Sequence, residues 1–140
     1  MKVRDVMSTN LAWVHPDTSA AELAKEMRRL DIGALPVCND RREVLGIVTD
    51  RDLVLRALAS DGHKKTAEQL MTRQPLLTIP NMRIHDALLI MAKYQIRRLP
   101  VVENCHLVGM LAMADIARKR FYADEAGDAL SAISRALPLN

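Results

Sequence analysis

Glycine, aromatic residues and cysteine are scarce in this sequence, and each scarcity excludes a class of site. The 140 residues include 5 glycines and 2 cysteines, and 3% are aromatic. The glycines stand singly, so no glycine-rich phosphate loop of the Walker or Rossmann type is present. Cys38 and Cys105 are too few for a disulfide framework and form no CxxC pair. We therefore interpret both cysteines as small, reduced, apolar side chains.

Motifs for catalysis and metal binding are missing as well. The four histidines form no HxxxH or HExxH arrangement, and no GxSxG nucleophile elbow occurs. Asp52 and Asp115 occupy matching positions, but no nucleophile or partner acid accompanies them. The sequence thus predicts no enzyme, no metal site and no cofactor.

Long apolar runs and a strong charge of one sign are also absent. The longest apolar runs reach about a third of the ~18 residues of a membrane span, and early charges exclude a secretory signal. We therefore expect a cytoplasmic protein with no membrane partner. Lys and Arg number 20 against 17 Asp and Glu, in scattered runs with few aromatic neighbours, which argues against nucleic acid. A nucleic-acid surface at Arg118-Lys119-Arg120-Phe121 is the weakest alternative.

The hydrophobic residues, 49% of the chain, suffice for a folded core and are arranged as an internal duplication. Gly46 and Asp52 recur 63 positions later as Gly109 and Asp115. Residues 4–58 and 68–120 are therefore predicted to be two copies of one unit, with a polar linker at 59–67 and a tail at 121–140. Because each copy is small, we expect the two to pack face to face. Seven further pairs recur 64 positions apart: Met7/Met71, Pro16/Pro80, Met27/Met91, Ile32/Ile96, Leu35/Leu99, Pro36/Pro100 and Val37/Val101.

Hydrophobic periodicity and turn residues predict the order β-α-β-β-α in each copy, an α+β (α/β) fold. For copy one we predict a strand at 11–14, a helix with Asp17 or Thr18 as N-cap, a strand-turn-strand at 35–48 and a helix from Thr49. For copy two we predict a strand at 76–79, a helix over Ile84–Tyr94, strands at 99–102 and 107–111, and a helix to about Arg120. The tail is predicted to form an amphipathic helix from Ala126 to Leu137.

The first helix of copy two is far less polar than its counterpart in copy one. Residues 87–92, Ala-Leu-Leu-Ile-Met-Ala, are apolar nearly all round the helix, so both sides need cover. One side can face its own sheet, and we expect the other to meet a second copy in a homodimer. The alternative is a monomer in which the tail after Phe121 folds over this helix.

The most informative positions are those where a strand leads into a helix, because helix N-termini offer unpaired N–H groups to a ligand. In copy one this segment ends in Thr49-Asp50-Arg51-Asp52. Thr49 and Asp52 could form a capping box that serves only the helix itself. In copy two Ala112 cannot cap, yet Asp115 stands at the same place, which favours a ligand.

These features resemble the cystathionine-β-synthase (CBS) domain, and two tandem copies resemble the CBS pair, or Bateman module. The resemblance covers residues 4–120. It implies two β-α-β-β-α repeats packed about a pseudo-twofold axis, with two clefts that bind adenine nucleotides or S-adenosylmethionine, in a regulatory module. The motifs that carry it are Met7-Ser8 and Met71-Thr72, Leu35-Pro36-Val37 and Leu99-Pro100-Val101, and the Gly-x-x-Thr-x-x-Asp of Gly46, Thr49 and Asp52.

The resemblance also implies roles for individual residues. Asp52 would accept hydrogen bonds from the ribose, with Thr49 near the ribose or phosphate, and two arginines would neutralise phosphate. The second cleft is implied to be weaker, because Ala112 stands in place of Thr49 and Gly33-Ala34 in place of the arginines. The residues implied for the well-equipped cleft are Thr49, Asp52, Arg97, Arg98, Leu11, Ala12 and Ile47, and those for the second are Asp115 and Arg51.

The sequence therefore predicts a homodimeric sensor of AMP, ADP, ATP or S-adenosylmethionine that signals to an unknown protein in trans. Since the two copies and the tail account for these residues, we expect no attached catalytic or DNA-binding domain. The alternative is a ligand-independent dimeric scaffold with vestigial clefts, whose working surface is the apolar helix at Leu88–Met91.

Overall fold

The computed structural model describes residues 1–62, 64–119 and 122–135 and divides the chain into two compact units. Unit 1 comprises Met1–Leu11, Leu76–Asn104 and the chain from Val108 onward, and unit 2 comprises Ala12–Pro75 and Cys105–Leu107. The first eleven residues thus belong with most of the second repeat, and the opening of the second repeat belongs with the first. Parts of the predicted linker, basic patch and tail (His63, Arg120, Phe121 and 136–140) lie outside the described residues.

Unit 2 holds a three-stranded antiparallel sheet and its helices. The sheet order is β1 (Ala34–Cys38), β2 (Val44–Thr49) and β3 (Thr72–Arg73), and its buried side packs on α1 (Ala20–Leu30) through residues such as Leu23, Leu35 and Val48. The short β3 was not predicted from the sequence. The elements in chain order are α1 (Ala20–Leu30), β1 (Ala34–Cys38), β2 (Val44–Thr49), α2 (Asp50–Asp52) continued by a π-helical segment (Leu53–Leu58), α3 (Ala67–Leu70) and β3 (Thr72–Arg73).

The N-cap of α1 is Ser19, so the prediction of Asp17 or Thr18 is wrong. The Ser19 side chain accepts a hydrogen bond from the Glu22 N–H at 3.2 Å. The Thr18 carbonyl instead accepts a hydrogen bond from the Ala67 N–H at 2.8 Å. Because Ala67 is distant in sequence, this contact outside the helix fixes where α1 begins.

The predicted first strand of each repeat is only a single parallel bridge. Val14 donates its N–H to the Pro36 carbonyl at 3.0 Å and accepts the Cys38 N–H at 2.9 Å. Thr78 makes the same bridge to the Pro100 carbonyl at 3.0 Å. Since proline has no N–H, a bridge that uses only its carbonyl accounts for the proline in both Leu-Pro-Val strands.

The described residues of unit 1 form a two-stranded sheet and three helices around a core of their own. The helix predicted over Ile84–Tyr94 is confirmed with those bounds, and the tail helix begins at Ala123, three residues earlier than predicted. The predicted helix to Arg120 ends at Ala117. The elements are a 3-10 turn (Val3–Asp5), α4 (Ile84–Tyr94), β4 (Arg98–Glu103), β5 (His106–Ala112), α5 (Met113–Ala117) and α6 (Ala123–Ser134).

Helix α6 packs against α4 and α5 and covers part of the apolar side of α4. Ala126 and Ala129 of α6 are 2% and 5% exposed, and Leu88 of α4 is 3% exposed. Leu89 on the same helix is 56% exposed, so part of the apolar face stays uncovered. From the sequence we expected a second copy of the chain to cover this face of α4. In the structure the tail helix α6 covers most of it, as in the monomer alternative. No helix among the described residues is long and apolar enough to cross a bilayer.

Candidate functional site

The turn from β2 into α2 places Thr49 and Asp52 against each other. The Asp52 N–H donates to Thr49 Oγ1 at 3.2 Å, and the Thr49 N–H donates to Asp52 Oδ2 at 2.9 Å. These two bonds form the capping box, which satisfies two N–H groups at the start of the helix. The Asp52 side chain is 13% exposed and keeps its other oxygen, Oδ1, outside the box. A carboxylate can accept further hydrogen bonds there.

Arg56 is a member of this cluster that the sequence reasoning missed. Its Nε lies 3.8 Å from Asp52 Oδ1, one helical turn away. Its Nη1 donates to the Leu70 carbonyl at 3.1 Å, at the end of α3. Arg56 therefore ties the acidic residue of the turn to the segment that opens the second repeat. The four-residue spacing from Asp52 to Arg56 was a visible signal for the first contact, but not for the second.

Three other predicted residues, Ala12, Ile47 and Arg51, lie in unit 2. Ile47, two residues before Thr49 on β2, is half-buried, and Ala12 packs against the core of the unit. Arg51 is exposed, and its N–H donates to Asp50 Oδ1 at 2.8 Å. Beside them, the Gly33 carbonyl accepts the Asp50 N–H at 2.9 Å.

Arg97 and Arg98 line a groove in unit 1. The Arg97 carbonyl accepts a hydrogen bond from the Met113 N–H at 2.8 Å. This bond fixes the end of the loop between α4 and β4 against the start of α5. The groove encloses about 260 Å³, and both arginines are exposed. Within the described residues neither guanidinium makes an ion pair. The rest of the lining is apolar. It includes Ala112, which the sequence analysis assigned to the second cleft, and four residues that were not predicted: Met113, Ala114, Ala117 and Leu130.

Asp115 is held by Arg118, three residues later in the chain. Leu11, another predicted residue, lies in the same unit. Asp115 Oδ1 accepts a hydrogen bond from Arg118 Nη1 at 2.7 Å, and its side chain is 26% exposed. Ala112 makes no cap hydrogen bond through its side chain. The second repeat thus keeps the acidic residue of the turn without the capping box.

The structure accordingly gathers the predicted residues into two sets. Thr49, Asp52 and Arg51 share one turn in unit 2, whereas Arg97 and Arg98 share one groove in unit 1. That the two sets act on one ligand stays a prediction. Among residues 1–62, 64–119 and 122–135, no group of three His, Cys, Asp or Glu side chains could hold a metal ion.

The duplicated unit, with its Leu-Pro-Val strand and acidic strand-to-helix turn, defines the chain as a pair of CBS domains. The CBS domain model matches residues 3–58 and 67–122. The chain belongs to the CBS domain family.

Individual relatives agree with this assignment. The chain is 39% identical over 134 residues to the CBS domain-containing protein YhcV of Bacillus subtilis, covering 94% of each chain. The CBS domain pair of protein MJ0100, solved with 5′-methylthioadenosine and S-adenosyl-L-methionine, is similar with a TM-score of 0.80 and 28% identity, over 89% of this chain and 98% of that one. CBSX2 in complex with AMP, a protein from Arabidopsis thaliana, is similar with a TM-score of 0.77 and 30% identity, over 88% and 98%.

Proposed function

We propose that this chain is a regulatory module that binds an adenosine-containing ligand, namely AMP, ADP, ATP or S-adenosylmethionine. The observation that carries the proposal is the unit 1 groove, where an apolar wall stands beside the exposed guanidiniums of Arg97 and Arg98. Guanidiniums suit phosphate or carboxylate, and an apolar wall beside them suits the uncharged part of such a ligand. The solved pairs MJ0100 and CBSX2, with their adenosine-containing ligands, support the same ligand class.

In this proposal the β2–α2 turn recognises the ribose. Asp52 Oδ1, which lies outside the capping box, accepts hydrogen bonds from the ribose hydroxyls. Arg56 either moves away from that oxygen or shares it with the ribose. Thr49 holds the carboxylate in place and lies next to the sugar or phosphate. Ile47 and Ala12, with Leu11, give the base an aliphatic surface, in keeping with the 3% aromatic content.

A second, weaker site is proposed around Asp115 and Arg51. Asp115 has no threonine partner and is occupied by Arg118 at 2.7 Å. At the position equivalent to Arg97 stands Gly33, which offers no cation. We expect this site to bind its ligand less tightly than the first.

The direct test is calorimetric titration with AMP, ATP, S-adenosylmethionine and 5′-methylthioadenosine. Arg97→Gln and Arg98→Gln should each weaken AMP and ATP about tenfold or more, and should leave 5′-methylthioadenosine, which carries no phosphate, nearly unchanged. Asp52→Asn should weaken all four. Arg28→Gln, on α1, is the matched control. Absence of binding by every ligand overturns the proposal.

Whether the two residue sets share one ligand can be measured by a double-mutant cycle. If they do, Asp52→Asn and Arg98→Gln should be non-additive toward ATP. Additive losses would assign the two sets to separate ligands.

The rival function is a ligand-independent dimeric scaffold with vestigial clefts. Its support is that both acidic residues already have protein partners, Asp52 in the capping box and Asp115 with Arg118. Under this alternative, oligomeric mass and partner binding stay the same with and without nucleotide.

We further propose a non-catalytic homodimer that works in the cytoplasm and signals to another protein in trans. The two free cysteines fit a reducing compartment. Leu89 and Tyr94, 56% and 50% exposed on α4, are the residues we expect at the dimer contact. Leu89→Glu should halve the mass measured by light scattering, with Lys64→Glu, at an exposed position away from α4, as control. A monomeric mass for the unaltered chain overturns the homodimer.

A further inference from the structure

Arg56 connects the acidic residue of the β2–α2 turn with the end of α3, and both contacts lie within unit 2. At the turn, its Nε lies 3.8 Å from Asp52 Oδ1, the oxygen outside the capping box. At the other end, its Nη1 donates a hydrogen bond to the Leu70 carbonyl at 3.1 Å and a longer one to the Met71 carbonyl at 3.5 Å. One guanidinium therefore holds two segments that are distant in sequence.

The two ends of this connection differ in strength. A separation of 3.8 Å is an ion-pair contact but is too long for a hydrogen bond, whereas 3.1 Å at Leu70 is an ordinary hydrogen bond. Because α3 ends at Leu70, no later N–H of that helix is available to this carbonyl, and Arg56 satisfies it instead. A ligand that competes for position with Arg56 will therefore displace it from Asp52 rather than from the end of α3.

A ribose bound at this turn has to use the oxygen that Arg56 faces. Asp52 Oδ2 already accepts the Thr49 N–H at 2.9 Å, so Oδ1 is the oxygen left for sugar hydroxyls. The Arg56 side chain is 50% exposed and has room to move. It also belongs to the π-helical segment, a rare geometry that is frequent at functional sites.

The carbonyls that Arg56 holds belong to the segment that opens the second repeat. Met71 is buried in the core of unit 2, and Thr72 pairs with β2. The chain passes from unit 2 into unit 1 after Pro75. A change in how Arg56 holds these carbonyls therefore acts just before the junction of the two units.

The second repeat has no such connection among its described residues. The 63-residue shift places Lys119 at the position of Arg56 and Asp115 at that of Asp52. There Arg118 holds Asp115 at 2.7 Å, and the exposed Lys119 side chain makes no hydrogen bond or ion pair with a described residue. The connection thus belongs to the repeat whose turn keeps the capping box.

We propose that Arg56 is a positioning residue that holds Asp52 in the absence of ligand and turns to the Leu70 and Met71 carbonyls when a ribose binds Oδ1. Ligand binding at the turn thereby tightens the end of α3. The inference deepens the proposed function and rests on it, because it requires a ribose at Asp52 and describes how binding there is passed to the start of the second repeat.

The first test is the affinity for 5′-methylthioadenosine, which has a ribose but no phosphate. Arg56→Gln removes the cation that competes for Asp52 Oδ1, so calorimetry should show binding about threefold tighter. Arg56→Lys keeps the charge and should stay near the affinity of the unaltered chain. Arg28→Gln, at an exposed arginine of α1, is the matched control. A merely structural role of Arg56 predicts unchanged or weaker binding in Arg56→Gln.

The second test follows the amide NMR signals of Met71 and Thr72, because hydrogen bonding to a carbonyl shifts the amide signal of the next residue. Saturation with 5′-methylthioadenosine should move both signals in the unaltered chain and in Arg28→Gln, but not in Arg56→Gln. Asp52→Asn should move them without ligand, since it weakens the attraction between this side chain and Arg56. Adding Asp52→Asn to Arg56→Gln should leave both signals where Arg56→Gln alone puts them.

The outcomes separate this inference from the proposed function. Binding of 5′-methylthioadenosine without movement of the Met71 and Thr72 signals overturns the inference and leaves the proposed function standing. Unchanged or weaker binding in Arg56→Gln does the same, as do signals that stay in place in ligand-free Asp52→Asn. Absence of binding by AMP, ATP, S-adenosylmethionine and 5′-methylthioadenosine overturns both.

Discussion

The sulfur of Met71 lies 2.5 Å from the place that a Cβ on Gly46 would take, and the Thr72 carbonyl oxygen lies 2.6 Å from it. The same relation holds in unit 1, where Met7 Sδ would lie 2.8 Å from a Cβ on Gly109. The segment that opens with methionine therefore crosses the strand at a point with no room for a side chain. This close approach explains why methionine and glycine recur together in both repeats.

Gly46→Ala should lower the free energy of unfolding by about 1–3 kcal/mol, because the added methyl group meets backbone as well as the methionine. Gly127→Ala is the matched control. No described residue lies within 4 Å of its Cβ position in α6, so alanine should be neutral or stabilise by up to about 1 kcal/mol. Urea denaturation measures both. Equal effects of the two substitutions would contradict the steric explanation.

Burial raises the pKa of the Cys38 thiol from 9.0 to about 11, against a smaller lowering by Arg42. In the unfolded chain this thiol ionises at a lower pH than in the fold. Its stabilising contribution is therefore complete below about pH 9 and is lost as the pH rises toward 11. Unfolding measured from pH 8 to 11 should show this loss, and Cys38→Ala should remove that component of the pH dependence.

At pH 8 a thiol reagent should label the exposed Cys105 and leave Cys38 unlabelled until the chain unfolds.

Thr49→Ala should destabilise the chain by about 1 kcal/mol, because the Asp52 N–H loses its acceptor at the start of the helix. Thr49→Ser keeps the hydroxyl and should restore most of the stability. If the capping box also presents Asp52 to a ligand, ATP affinity should follow the same order. Calorimetry and thermal unfolding on the two variants check this. Loss of affinity in Thr49→Ser as large as in Thr49→Ala would mean that the methyl group, not the hydroxyl, matters.

Ala129→Asp should lower the free energy of unfolding by about 2 kcal/mol or more, since it buries a charge where α6 meets α4. Asp128→Ala, one residue earlier and exposed, should change it by no more than about 0.5 kcal/mol. Thermal unfolding distinguishes them. A small effect of both would mean that α6 does not stay on α4 in solution.

The features that could be predicted from the sequence are those written in local patterns or in the repeat. The helix Ile84–Tyr94 stands at the position of α1 in the repeat, and the paired motifs locate the strand-to-helix turns. The N-cap of α1 could not be chosen, because Asp17, Thr18 and Ser19 are all capping residues and the choice depends on Ala67, far along the chain.

Four polar residues of the candidate site could be named from the sequence, whereas Arg56 and the apolar wall of the unit 1 groove could not. Thr49 and Asp52 carry recognisable chemistry at the strand-to-helix turn, and Arg97 and Arg98 stand just before the second Leu-Pro-Val strand. Leu130 has no such signal, since it reaches the groove only because α6 folds back onto unit 1. The bond from Arg56 to the Leu70 carbonyl likewise depends on how α3 packs.

The space beside Gly33 has a consequence for how the two halves of the duplication could diverge. An Asp50 carboxylate oxygen lies 3.0 Å from the place of a Cβ on Gly33, and that carboxylate also accepts the Arg51 N–H at 2.8 Å. An arginine at position 33, like the one at position 97, would need this exposed carboxylate to move by only a few tenths of an ångström, and would place a guanidinium beside it. The first repeat could therefore gain a cation at this position by a single change, but Asp50 would partly neutralise its charge.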